Sequence, residues 1–178
     1  DKIAIGISTG GLFIKNARTG DNRSRVRIGG LINHPPTVGG ESVYVLSNGK
    51  VLSFDVGSRE LPWSYPLRLV WAQLWLWQLP VPNPPAPTGF QWHATPEGDG
   101  AKFITSPAAT SDNIYLGSNN SFMYSLSAAD GEIIWKFKAP FTLVRRPTAI
   151  GERLYFGTSN GTVHSIDRNN GQEEWALE

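Results

Sequence analysis

Three histidines, His34, His93 and His164, are the side chains best suited to acid–base or metal chemistry in this 178-residue chain. Zinc takes three imidazoles and leaves a fourth position open, and a general base needs only one. Their settings argue for other roles. His34 stands before Pro35-Pro36 in a connection, and His93 follows Trp92. His164 falls where related segments carry Tyr124 and Leu52, which marks it as a packing residue between layers. The carboxylates Asp55, Asp130 and Asp167 sit at turns, where a short acidic side chain bonds nearby backbone N–H groups. The chain has no cysteine, which excludes disulfides, thiolate zinc sites, c-type haem attachment and cysteine nucleophiles. No G-x-S-x-G is present. The pairs Gly10-Gly11, Gly29-Gly30 and Gly39-Gly40 precede no helical pattern, so they read as turns rather than phosphate cradles. We therefore assign no catalytic, cofactor-binding or metal-ligating residue.

The elements that hold these residues come from a repeat. Pro147 to Trp175 and Pro107 to Trp135 share their markers 40 positions apart: Tyr155 with Tyr115, Gly157 with Gly117, Ser165 with Ser125, Gly171 with Gly131, Trp175 with Trp135. A fixed period of this length signals a repeat architecture. An earlier copy runs from Pro36 to Trp63, with Tyr44 and Asp55 in place and Arg59 in the glycine column. The first copy lacks its opening segment. It keeps Asn16 and Gly20, and Ser24 takes the tryptophan position.

Within each copy, short β-rich runs alternate with Asn-, Asp- and Gly-containing turns. Asn160-Gly161 supplies the positive φ angles of a tight hairpin. The strands at 162–166 and 122–126 are apolar on both faces, as expected of a sheet held between two other layers. Four short antiparallel strands in about 40 residues make one propeller blade. The repeated tryptophan is expected to lie over the Asp/Asn-Gly turn of a neighbouring blade, burying about 150–250 Å² of ring.

The boundaries follow: a partial blade at 1–30, blades at 31–66, 101–139 and 140–178, and an insertion at 67–100. The insertion includes P-L-R-L-V-W-A-Q-L-W-L-W-Q-L-P from Pro66 to Pro80. Leu67, Val70, Trp71, Leu74 and Trp75 follow helical spacing, with Trp77 beyond them. A helix there would span roughly 20 Å, too short to cross a bilayer. Its indoles and leucines fit a cap over the propeller, or a docking element for a partner protein or membrane surface. With 16 basic against 15 acidic residues, the chain offers no general basic surface for nucleic acid. The 178 residues themselves contain no signal-peptide pattern, as expected of a chain that starts at Asp1 after processing or trimming.

The pattern D-x-x-x-G-x-x-x-W, seen at Asp167, Gly171 and Trp175, and as Ser127, Gly131 and Trp135, resembles the tryptophan-docking motif of PQQ-like repeats. Asp55 and Trp63 keep part of it. The resemblance implies an all-β propeller of four-stranded blades, here incomplete at about three and a half. It implies a fragment of a longer protein, or a half-ring completed by a partner such as a second copy. Two functions go with the family: quinone-dependent alcohol oxidation and non-catalytic scaffolding in an extracytoplasmic, membrane-associated complex. The enzymes hold their quinone in the channel of a complete ring, often with paired cysteines. The cysteine-free chain thus points to the scaffold, with no cofactor. The alternatives are a piece of a quinoprotein dehydrogenase and a small-ligand sensor.

Overall fold

The computed structural model describes residues 2–28, 30–56 and 89–178, and its turns divide them into four sheets. Asn48 and Gly49, both at positive φ, close a two-residue hairpin. Gly161 serves the last sheet in the same way, and Ser121 takes that role in the third at φ 65°, an uncommon angle for a residue with a side chain.

The first sheet is β1 (Lys2–Ile7), β2 (Gly11–Asn16) and β3 (Asn22–Arg27), joined in chain order. The second is β4 (Thr37–Gly39), β5 (Ser42–Ser47), β6 (Lys50–Asp55) and β7 (Phe90–Ala94). The third is β8 (Ala108–Ala109), β9 (Asn113–Gly117), β10 (Phe122–Ser127) and β11 (Ile133–Lys138). The fourth is β12 (Thr148–Ile150), β13 (Arg153–Gly157), β14 (Val163–Asp167) and β15 (Glu173–Leu177). All pairings are antiparallel. The architecture is an all-β partial propeller, and among the described residues its first sheet has three strands, with no counterpart of β4, β8 and β12.

Sheets stack face to face, and each junction is an apolar core. Leu12, Ile14 and Val26 of the first sheet meet Val43, Val45 and Phe54 of the second. Leu46, Val51 and Trp92 meet Ile114, Leu116, Tyr124 and Leu126. Tyr115, Met123 and Trp135 meet Leu154, Phe156 and Ile166. The middle strands are buried on both faces, β5 along its whole length. Ile32, Phe103 and Leu143, in the connections between sheets, each bridge back to the end of the second strand of the sheet that follows, at Ser47, Ser118 and Thr158. All three are buried, one in each of the three apolar cores, and fasten each connection there.

The second sheet departs from the sequence reading. Its outer strand is Phe90–Ala94, which pairs with β6. The expected insertion at 67–100 includes these residues, so the interruption falls inside the second blade rather than after it. The reason is physical. A long excursion between two paired strands costs only slowly growing loop-closure entropy, and the ladder re-forms wherever an alternating strand is available. Phe90 and Trp92 supply that alternation. The expected helix and its residues Leu67, Val70, Trp71, Leu74, Trp75 and Trp77 lie outside the described residues, as does Trp63.

Candidate docking surfaces

The turn before the last strand of a sheet is built by side chains the sequence singled out. Asp167 Oδ1 accepts a hydrogen bond from the Asn169 N–H at 2.7 Å, and the Gly171 N–H reaches the Asp167 carbonyl at 2.8 Å. In the third sheet the Gly131 N–H reaches the Ser127 carbonyl at 3.0 Å, and Ser127 Oγ accepts from Ala129. Asp130 Oδ1 accepts from the Glu132 N–H, a bond that holds this exposed carboxyl below its ordinary pKa. The first sheet repeats the turn. The Gly20 N–H reaches the Asn16 carbonyl at 2.9 Å, and Asn16 Oδ1 accepts from Arg18 and Thr19. Gly20, Gly131 and Gly171 have φ of 74°, 80° and 74°. Asp55 takes the corresponding place in the second sheet, where its N–H bonds the Gly89 carbonyl at 2.8 Å.

Two of these turns carry an indole from the preceding sheet. Trp135 packs on Tyr115 of its own sheet with centroids 6.0 Å apart, and its Nε1–H donates to the Arg168 carbonyl at 2.9 Å. A β-carbon on Gly171 would come within 2.8 Å of the Trp135 ring. Trp92 does the same one sheet earlier. It packs on Tyr44 at 5.9 Å, donates to the Ala128 carbonyl at 3.2 Å, and covers Gly131. Both rings are 9% exposed. Trp92 thus occupies, in the second sheet, the position opposite Ser53 that Trp135 and Trp175 hold opposite Ser125 and Ser165. The sequence pattern passed over it because Trp63 stood at the nominal spacing. The alternation in Phe90-Gln91-Trp92-His93-Ala94 was the available signal. Gln91 secures the strand: its Oε1 accepts from Ser42 Oγ at 2.9 Å and from Ser53 Oγ at 2.6 Å.

Trp175 has the same intra-sheet contact, on Tyr155 at 6.0 Å, but is 42% exposed. Val163, Leu177 and Ile150 are exposed beside it. At the opposite end of the stack, Ile3, Ile5 and Ile7 are exposed on one face of β1. Phe13 shares that face through its pairing with Ile5, with the Arg25 guanidinium 5.2 Å from its centroid. Two end sheets therefore present apolar faces.

The histidines do not converge. His164 is buried, stacks on Phe156 at 5.1 Å, and sets Nδ1 2.7 Å from Glu173 Oε1, leaving Nε2 without a partner. It helps line an open depression of about 650 Å³ with Phe137, Phe141, Thr162 and Glu173. His93 lies against Phe90, opposite Leu52 on β6. Among the described residues, no three His, Cys, Asp or Glu side chains gather to hold a metal ion.

The fold has known counterparts. No curated protein matches the chain by sequence. Among solved structures, BamB from Moraxella catarrhalis is 14% identical, with 100% of this chain aligned to 61% of that one at a TM-score of 0.56. The quinohemoprotein alcohol dehydrogenase from Comamonas testosteroni is 12% identical, with 99% of this chain aligned to 33% of that one at a TM-score of 0.67. BBS1N, solved in complex with ARL6DN, is 14% identical, with 99% aligned to 52% at a TM-score of 0.65. The chain spans less than two thirds of the length of each, and at these identities the likeness is one of fold. The family model described as outer membrane protein assembly factor BamB matches residues 68–178. That match covers well over half of the sequence, and the chain belongs to this family of PQQ-like repeat propellers.

Proposed function

We propose that the chain is a non-catalytic interaction module, a scaffold component of a multi-protein assembly associated with a membrane on its extracytoplasmic side. The observation that carries this reading is the match of residues 68–178 to the family described as outer membrane protein assembly factor BamB. The indole–turn contacts at Trp92 and Trp135 are read as the device that docks blade to blade. Partners engage the open blade edges or the aromatic insertion with Trp71, Trp75 and Trp77; a second copy that completes the ring is one such partner. BBS1N, a structural neighbour, was itself solved with a protein bound.

Two measurements test this. Affinity capture from membrane extracts, with and without residues 66–80, is expected to retain a defined protein only when the insertion is present. Liposome co-sedimentation of the same pair reads direct membrane contact. Turnover of alcohols by the chain with added pyrroloquinoline quinone and calcium would overturn the reading in favour of a dehydrogenase fragment.

A further inference from the structure

We infer that an open depression between the second and third sheets receives an arginine side chain of a partner protein. This deepens the interaction-module reading and rests on it.

Two junctions of the same chain differ in one place. The turn between the first two strands of a sheet carries an acidic residue three times: Glu41, Asp112 and Glu152. Their carbonyls accept from the N–H groups of Val56, Ala128 and Arg168, at 2.8, 2.8 and 3.0 Å. Those bonds make Ala128 the counterpart of Arg168, and Ala129 the counterpart of Asn169. Between the third and fourth sheets the position is filled. The Arg168 side chain is only 26% exposed, with Nη2 3.5 Å from Glu152 Oε1. Asn169 Nδ2 donates to the other oxygen, Glu152 Oε2, at 2.7 Å. The guanidinium charge also reaches the Tyr115 phenol, which burial raises and Arg168 draws down.

Between the second and third sheets the acceptors are kept and the cation is not. Asp112 stands for Glu152, Glu41 for Asp112, and Tyr44 for Tyr115. Ala128 and Ala129 end at the β-carbon. A depression of about 320 Å³ takes the space of the two longer side chains, lined by Glu41, Tyr44, Asp112 and both alanines. Asp112 accepts from Ser111 Oγ at 2.8 Å and has no ion pair among the described residues. Glu41 meets Lys2 of the first sheet at 3.5 Å, which leaves its side chain 86% exposed. Burial raises the Tyr44 phenol, and here no cation opposes it. Each wall is a sheet with another sheet of this chain stacked behind it. Asp130 and Glu132, exposed in the adjoining turn, give the rim the same sign and favour the approach of a cation. A guanidinium suits the site better than an ammonium. Its planar fork can donate to two carboxylates at once, and it packs on an aromatic ring.

Titration of the 178-residue chain with N-acetyl-arginine amide, followed through backbone amide shifts by nuclear magnetic resonance, tests this. Saturable shifts are expected at residues 39–44, 111–112 and 128–129. The citrulline analogue, of the same shape without the charge, is expected to produce none. Asp112→Asn is expected to weaken binding at least about tenfold. Ala128→Arg supplies the side chain from within and is expected to abolish binding with the fold intact, because the counterpart position already holds Arg168. The converse variant, Arg168→Ala, is expected to create a second site, seen as new shifts at residues 112–115 and 168–169. The inference is overturned by a wild type that shows no saturable shift, by an equal response to citrulline, or by unchanged binding in Ala128→Arg. Capture through the insertion without any arginine response would remove this site and leave the interaction module standing. Alcohol turnover would remove the module and leave the titration as it is, so the two readings fail separately.

Discussion

Trp135 lies across Gly171 so closely that the glycine has room for a hydrogen and nothing larger: a β-carbon would meet the ring at 2.8 Å. The same indole donates its N–H to the Arg168 carbonyl in that turn. One side chain thereby joins two sheets through both packing and a hydrogen bond, and among the described residues Trp92 does the same.

Gly171→Ala is expected to cost about 2–4 kcal/mol, from overpacking against the ring and from forcing a residue with a side chain to positive φ. Gly20→Ala is the internal control. It carries the same φ of 74° in open space, so only the backbone cost of about 1 kcal/mol remains. Urea midpoints of the two variants, at dilutions below any association, should differ by the steric part.

Truncating the two indoles separates covered from uncovered rings. Trp135→Ala should cost about 3–5 kcal/mol, the range for emptying a buried aromatic site. Trp175→Ala, at a ring 42% exposed, should cost the dilute single chain much less, about 1 kcal/mol. Equal losses would mean that Trp175 is covered within one chain.

Gln91 tests whether Phe90–Ala94 is the outer strand of the second blade. Its amide oxygen satisfies the hydroxyls of Ser42 and Ser53, and Ser53 is wholly buried. Gln91→Leu leaves that hydroxyl without its partner and should cost about 1–3 kcal/mol. The double variant Gln91→Leu with Ser53→Ala should recover part of the loss, as read by a double-mutant cycle in urea.

Alkaline stability should depend on the two tyrosines under the docked indoles. Burial raises the Tyr44 and Tyr115 phenols above 10.0. Because the folded values lie above the unfolded ones, their stabilising contribution is complete below the unfolded pKa and is lost as pH rises through the folded values. The native state should therefore weaken above about pH 10. Tyr44→Phe and Tyr115→Phe should flatten that decline while leaving neutral pH as the reference for each variant. Thermal melts from pH 8 to 11 measure it.

Much of this was legible in the linear pattern because it is local. The 40-residue period between Tyr115 and Tyr155, the Asp130-Gly131 and Asn170-Gly171 turns, and the doubly apolar runs around Tyr124 and His164 depend on neighbours along the chain. They determined the sheet modules, the propeller class and the family. Tertiary structure decided what depends on register across a long excursion. Trp63 stands at the nominal spacing, yet the strand that pairs with β6 is the one carrying Trp92, because ladder hydrogen bonds and the Ser53–Gln91 contact choose among candidate strands in space. It also decided which repeats of one motif are filled. Trp135 and Trp175 read alike in sequence. Only the stacking of sheets covers one and leaves the other open, since burial belongs to a pair of surfaces and not to a residue.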